Sequence, residues 1–429
     1  MKPQGSPRTS IRGLATFAVI VMFVSSAFAI TPKESVLYRF KGGTDGAVPA
    51  AGLIEDAAHN LYGTTLDGGT SDLGTVFEVS PPGTVWTETV LYSFAGGSDG
   101  ANPLNGNLVA DKAGNLYGTT YAGGGSTNCK GTTPGCGTVF QLAPPATQGA
   151  PWTETVLYSF TGLSDGANPD AGLIMDSKGN LYGTTVYGGG VTCGTTTCGT
   201  IFELTPPSTQ GGPWTETVLH AFGKGSDGAN PTAGLTFGLR GSIFGTTSSG
   251  NNKAKNGIVF KLKPPTTQGG TWTEGVLYRF TGGTDGGLPN AALVVDKTGN
   301  LYSTTFKGGQ SYGVIYEIAF GTWTQSVLYT FTGGSDGADP AAGLLKDKAD
   351  NLYGTTTFGG QKNYGSVFEL SPPIAQSDPW TETTLYDFQG GHDGKAPNAA
   401  LIFGKGGQLY GTTLYGGAPN DGTVFRITH

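Results

Sequence analysis

The chain has 429 residues, including 75 Gly and 25 Pro, with 13% charged residues and a formal net charge of −7 at pH 7. That acidic balance disfavours nucleic acid and anionic membrane surfaces as partners, because both need a basic footprint. Gly and Pro at this density could accompany disorder, but the apolar and aromatic residues recur at fixed places in short β-like runs, which argues against it.

The first element in chain order is a targeting pattern. Lys2, Arg8 and Arg12 precede an apolar run from about Leu14 to Val24, and small residues follow at Ala27 and Ala29. This is the three-part pattern of a secretory signal over residues 1–29, with cleavage expected after Ala29. The rival reading, an uncleaved anchor, needs a longer apolar core than this one. Without residues 1–29 the chain keeps 21 basic against 31 acidic residues, a charge of −10. Residues 30–35 form a short lead, and residues 36–429 read as one repeat domain.

The lone run Val36-Leu37-Tyr38-Arg39-Phe40 opens that domain. Seven repeats follow. Gly-Thr-Thr starts at Gly63, Gly118, Gly183, Gly245, Gly354 and Gly411, with Ser303 in the fifth copy, at steps of 55, 65, 62, 58, 51 and 57 residues. The third copy shows the unit. Residues 171–176 read as a strand, 177–180 as a Gly/Asn turn, 181–185 as a second strand and 199–204 as a third. Pro206-Pro207 ends the third strand, and residues 214–222 form a fourth. Four short strands at this period predict an all-β fold, a seven-bladed β-propeller of four-stranded blades. The last copy stops on a third strand, residues 422–427, and the chain starts with a spare fourth one. Pairing of 36–40 with 422–427 is therefore predicted to close the ring without an open edge.

Recurring aromatics predict the inter-blade core. The six Trp share one slot, Trp86, Trp152, Trp214, Trp272, Trp323 and Trp380, and the fourth strand carries Phe40, Phe94, Phe160, Phe222, Phe280, Phe331 and Phe388. The slot Phe77, Phe140, Phe202, Phe260, Tyr316, Phe368 and Phe425 repeats in the third strand. The residue after it changes sign between copies (Glu78, Lys261, Arg426), which predicts a solvated position.

Two features of the loops bear on function. A repeated Asp-Gly supplies Asp45, Asp99, Asp165, Asp227, Asp285, Asp336 and Asp393, between one blade's fourth strand and the next blade's first. Seven carboxylates around a mouth would suit Ca²⁺. The simpler reading is that each Asp caps its own turn. Otherwise no cofactor and no metal site are expected, since no Asp-x-Asp-x-Asp loop occurs. The loops after Gly-Thr-Thr differ among blades and place Tyr121, Tyr187, Phe306, Phe358 and Tyr415 beside Gly-rich backbone. These are candidate ligand-binding rings for sugars or extended polar chains, the alternative being packing on the rim of the next blade. The longest two loops carry Cys129 with Cys136 and Cys193 with Cys198. In an exported chain these read as local disulfides and not zinc ligands, because neither pair is Cys-x-x-Cys and no His lies near.

The unit Leu-Tyr-Ser-Phe … Ser-Asp-Gly-Ala-Asn-Pro … Gly-Asn-Leu-Tyr-Gly-Thr-Thr … Gly-Thr-Val-Phe-Glu-Leu closely resembles the GloVer tandem repeat, of the Gloeobacter/Verrucomicrobia type. The likeness covers essentially everything after residue 35. It implies an exported bacterial protein, often with a C-terminal surface-sorting segment. This sequence stops at His429 without one, so the expectation is a freely secreted or periplasmic protein. The resemblance implies no established activity and supplies no catalytic residues.

The catalytic inventory is thin. His59, His220, His392 and His429 are scattered, and no Ser-His-Asp set, zinc pattern or phosphate loop appears. The reading is an exported, non-catalytic scaffold, monomeric, that binds glycan, another extracellular polymer or a surface protein through its variable loops. One alternative is a propeller-fold carbohydrate-active enzyme using two mouth carboxylates as acid and base. The other is a purely structural extracellular protein.

Overall fold

The computed structural model describes residues 1, 5, 31–81, 85–147, 149–193, 196–209, 211–224, 226–250, 255–267, 269–375 and 377–429. The expected signal segment, Met1 and Gly5 apart, and its cleavage point lie outside the described residues. Residues 32–429 group as one compact unit and residues 1–31 as another. Among the described residues no helix is long and apolar enough to cross a membrane.

Seven four-stranded antiparallel sheets form the blades of a propeller. In the third blade the strands run Ile174–Met175, Leu181–Thr185, Thr200–Thr205 and Thr215–Ala221. The second strand is buried at every residue, as a strand covered on both faces must be. The first strand is shorter than the sequence pattern predicts: only Ile174 and Met175 enter the ladder, opposite Tyr182 and Leu181. The residues before it are drawn out of the sheet by contacts to neighbouring blades. The ring closes as predicted. The N-terminal strand Lys33–Arg39 lies antiparallel to Thr423–Thr428, with Val36 opposite Phe425, and becomes the fourth strand of the seventh blade.

One aromatic contact is repeated at all seven junctions. The fourth-strand Phe of one blade meets the third-strand ring of the next edge-on. Ring centroids lie 5.0 Å apart for Phe40 and Phe77, 5.1 Å for Phe160 and Phe202, and 5.1 Å for Phe388 and Phe425. These rings are almost wholly buried. Each such burial stabilises by about 1.5–3 kcal/mol, and the edge-to-face geometry adds roughly 0.5–1.5 kcal/mol. The glycine of the second strand makes room for the ring: a Cβ on Gly183 would stand 2.5 Å from Phe202. The Trp slot packs across junctions too, Trp214 against Tyr117 and Trp272 against Tyr182. The seventh blade has no Trp in that slot, and the terminal His429 ring covers Tyr353 instead, at 5.2 Å.

Backbone chemistry ties the same junctions. The residue before each repeated Pro is left-handed, including Val48 (φ 57°), Asn168 (φ 56°) and Leu288 (φ 54°). That conformation is costly for Val or Leu, so surrounding contacts must over-determine it. They do: Val48 N–H donates to Asp421 O at 2.8 Å, Asn168 N–H to Cys136 O at 2.7 Å and Leu288 N–H to Asn256 O at 2.9 Å, each on the preceding blade. A Thr of the second strand makes a second lock. Thr119 Oγ1 donates to Ala171 O at 3.0 Å and Thr412 Oγ1 to Ala51 O at 3.1 Å. At the junction of the first and second blades the pattern fails, and Thr64 Oγ1 is buried without a partner. There the second blade carries one extra residue between Pro103 and Leu108, and Asn107 Oδ1 instead accepts Gly52 N–H at 2.7 Å.

Candidate functional site

Both sets of connecting loops lie on one face. The segment entering each blade bridges to the loop after that blade's second strand, for example Ala101 to Ala122 and Ala167 to Tyr187. The residue two before each third strand then seats on a Gly of the next connection. Tyr364 covers Gly390, and in the two longest loops the seat is taken by Cys136 on Gly162 and Cys198 on Gly223. Both expected disulfides form, Cys129–Cys136 and Cys193–Cys198. They close short loops, so loop entropy makes each worth only about 2–2.5 kcal/mol. Reduction is therefore expected to lower the melting midpoint by only a few degrees while loosening the two loops. Parallel melts and limited proteolysis with and without reductant test this. A collapse of the whole ring on reduction would contradict it.

The seven ring carboxylates are each engaged by their own turn. Backbone N–H groups donate to Asp45 from Lys41, to Asp99 from Ala95 and to Asp165 from Thr161, each at 2.7 Å. The same bond reaches Asp227 from Gly223 at 3.0 Å, Asp285 from Thr281 at 2.8 Å, and Asp336 and Asp393 from Thr332 and Gln389 at 2.7 Å. A fourth-strand Tyr hydroxyl adds a bond in most copies, such as Tyr158 to Asp165 at 3.1 Å, and His220 Nε2 takes that place beside Asp227. Among the described residues no group of three or more His, Cys, Asp or Glu side chains gathers to hold a metal. The slot expected to be solvated is half-buried instead: Glu203 and Glu317 accept hydroxyls of Tyr182 and Tyr302 at 2.9 and 3.0 Å.

The five loop aromatics do not act alike. Tyr121 and Tyr187 line one groove of about 660 Å³ across the first three blades. Its walls carry Asp67, Asn102, Asn128, Lys130 and Thr197, and both disulfide loops contribute. Burial, then the neighbouring Tyr187 and Asp170, raise the Tyr121 hydroxyl above its ordinary range. Phe306 instead borders the central cavity, under the Lys307 ammonium at 4.6 Å. Phe358 and Tyr415 stand exposed on the sixth and seventh blades.

The central cavity, about 390 Å³, is lined by the segments that follow the repeated Pro. Most of its wall is Ala and Gly, but Asn105, Asp170, Asn290 and Asn398 break the symmetry. Asn398 Nδ2 donates to Asn105 Oδ1 at 3.2 Å, and Asn105 Nδ2 donates to Asp170 Oδ1 at 2.9 Å, a hydrogen-bonded chain joining blades seven, two and three. Asp170 is 8% exposed, and burial pushes its carboxyl up to about 6 against the lowering effect of Asn105.

A profile described as the Gloeobacter/Verrucomicrobia repeat matches residues 23–195, 125–311 and 240–429, and so covers the whole propeller. The chain belongs to the Gloeobacter/Verrucomicrobia repeat family. No protein of curated function matches it. Among solved structures it is similar to a protein assigned as 6-phosphogluconolactonase from Bacteroides uniformis, 15% identical over 82% of this chain and 88% of that one, with a TM-score of 0.48. It is also similar to a protein assigned as an oxidoreductase (glucose dehydrogenase) from Thermus thermophilus, 16% identical over 75% and 95%, TM-score 0.43. A gluconolactonase from Xanthomonas campestris is 14% identical over 75% and 86%, TM-score 0.39. At these values the likenesses carry no argument about activity.

Within this Gloeobacter/Verrucomicrobia repeat, Asp170 is the residue that sequence reasoning missed. Its slot, directly after the repeated Pro, reads Ala50, Asp170, Thr232, Asn290, Ala341 and Asn398, with Leu104 and Asn105 sharing it in the second blade. A carboxylate appears there once. Comparing copies for the slot that differs, and not for the slots that agree, would have found it.

Proposed function

We propose that this protein is an exported, non-catalytic scaffold that binds glycan or another extracellular polymer along the groove of the first three blades. One observation carries the reading: Tyr121 and Tyr187, from adjacent blades, line the same groove beside amide and hydroxyl side chains. Flat rings next to hydrogen-bonding groups match the apolar faces and hydroxyl edges of sugar rings. The two disulfides support it, since they stiffen the loops that wall the groove and suit an oxidising compartment. The ring carboxylates, each occupied by its own turn, favour binding over acid–base hydrolysis.

The test is a glycan and polysaccharide array read for bound protein and released sugar together, using the full chain as the cell processes it. Tyr187→Ala is expected to weaken binding roughly tenfold or more, as loss of a stacked aromatic at a binding hot spot does. Sugar release abolished by replacing a ring Asp would overturn the reading in favour of an enzyme. Silence in both channels would leave a structural role.

A further inference from the structure

The central cavity carries a second inference, independent of the groove. Its volume of about 390 Å³ falls in the ~300–1,000 Å³ range of small-molecule sites and is too confined for a polymer laid across the ring. The polar residues converge from five different blades, which no single turn requires. The chain Asn398–Asn105–Asp170 fixes three of these side chains in place. Thr232 Oγ1 donates to Asn290 Oδ1 at 3.5 Å on the opposite wall.

What these bonds leave over defines the ligand. Among the described residues Asp170 Oδ2, Asn398 Oδ1 and Asn290 Nδ2 have no protein partner, and all three side chains border the cavity. Two acceptors and one amide donor face a space otherwise walled mostly by Ala and Gly, with Asn107, Thr232, Leu173, Ile174 and Leu235 completing the wall and the Phe306 ring at its border. Hydroxyl groups both donate and accept, so vicinal hydroxyls satisfy such a mixed set, while C–H faces rest on small apolar walls. A divalent cation is the poorer fit, because Asp170 is the single carboxylate among the lining residues and hard cations collect several oxygen anions. A nonpolar guest would leave the second oxygen of a nearly buried carboxyl without a hydroxyl to meet it, which is costly.

We propose that the central cavity binds one small polyhydroxylated molecule, a monosaccharide or cyclic polyol, with Asp170, Asn290 and Asn398 meeting its hydroxyls. Calorimetric titration of the full, naturally processed chain with D-glucose, D-galactose and myo-inositol tests it. At least one of these is expected to give saturable one-site binding. Asp170→Ala should weaken it roughly tenfold or more, the scale of a lost charge-assisted hydrogen bond. Ala341→Phe, which fills the cavity from the sixth blade without touching the polar chain, should abolish it. Tyr187→Ala should leave it unchanged, which separates this site from the groove. If Asp170→Ala fails to fold, Asn290→Ala takes its place, expected to weaken binding severalfold. The proposal is overturned if none of the three probes gives saturable heat, if binding survives Ala341→Phe, or if Tyr187→Ala abolishes it while Asp170→Ala and Asn290→Ala do not.

Discussion

Removing residues 31–40 is expected to destroy cooperative folding of the propeller. Those residues supply the fourth strand of the seventh blade, six paired positions against Thr423–Thr428, and the buried side chains of Leu37 and Phe40. Phe40→Ala alone is expected to cost about 3–5 kcal/mol, since it deletes a fully buried ring that meets Phe77 edge-on. That is a large share of a typical domain's 5–15 kcal/mol. Full truncation adds the lost ladder and leaves Thr423–Thr428 as an open, apolar edge, a template for aggregation. Size-exclusion chromatography and thermal melts of the truncated chain test this, with a peptide of residues 31–42 added in trans as rescue. A monomeric truncated chain with an unshifted midpoint would show that closure contributes little.

Stability is expected to fall as pH rises from about 5 to 8, by roughly 5 °C or more in melting midpoint. The cause is a repeated Glu near the start of the fourth strand. Burial first, and then nearby Asp carboxylates, push Glu154 and Glu216 up to about 7, with Asp99 and Asp165 as the neighbours. Glu34 reaches about 7 with Asp393 beside it and Arg39 opposing. Glu274 reaches about 7 against the pull of His220 and Arg279, and Glu382 about 7 against a bond from Thr384. Glu88 goes to about 8, through burial and its contact with Asp45. A folded-state pKa above the unfolded value means the protonated form is favoured in the fold. The stabilisation is complete below the unfolded carboxyl range and is lost as pH climbs through 7 to 8. These side chains are partly exposed, so solvent screening trims each contribution, and the size of the effect comes from six acting together. Asp111 and Asp296 run the other way. Burial opposes their charge, but hydrogen bonds led by Asn115 and Thr298 outweigh it, so their contribution is lost only at acid pH. The fifth blade contains a natural neutral control, Gln325, whose amide donates to Asp285 O at 3.2 Å. Replacing Glu154 and Glu216 with Gln should therefore flatten the profile. A midpoint equal at pH 5 and pH 8 in the parent chain would sink this account.

The repeat made the fold legible, and the same repetition hid the most distinctive site. Blade number, the Phe and Trp slots and the closing strand all follow from residues that recur, because an identical junction must be packed seven times over. The short first strand did not follow. Residues 171–173 read as an extension of Ile174–Met175, but the left-handed Asn168, the Pro after it and the Thr119 bond to Ala171 O direct the stretch 167–173 to other blades. Asp170 lies in that stretch, so a reading in terms of strands passes over it. Asn105 was hidden by a register effect: one extra residue in the second blade moves it out of line with Asn290 and Asn398. Among the loop aromatics, chemistry alone could not separate Tyr121 and Tyr187, which share a groove, from Phe358 and Tyr415, which do not. Which blade stands next to which, and how long its loop is, decides that.

Ring closure also sets an order in time. Lys33 pairs with Thr428, and Thr428 Oγ1 donates to Lys33 O, across 395 positions of chain. The strand at residues 33–39 therefore waits for residues 423–428 to be synthesised before it finds its partner. Blades one to six can each assemble from contiguous sequence as it emerges. The seventh cannot exist until residues 423–428 have been made, and closing so long a loop is slow relative to local hairpins. Until then the chain is an open arc rather than a ring, with one waiting strand at its start. That interval is when a chaperone would meet it.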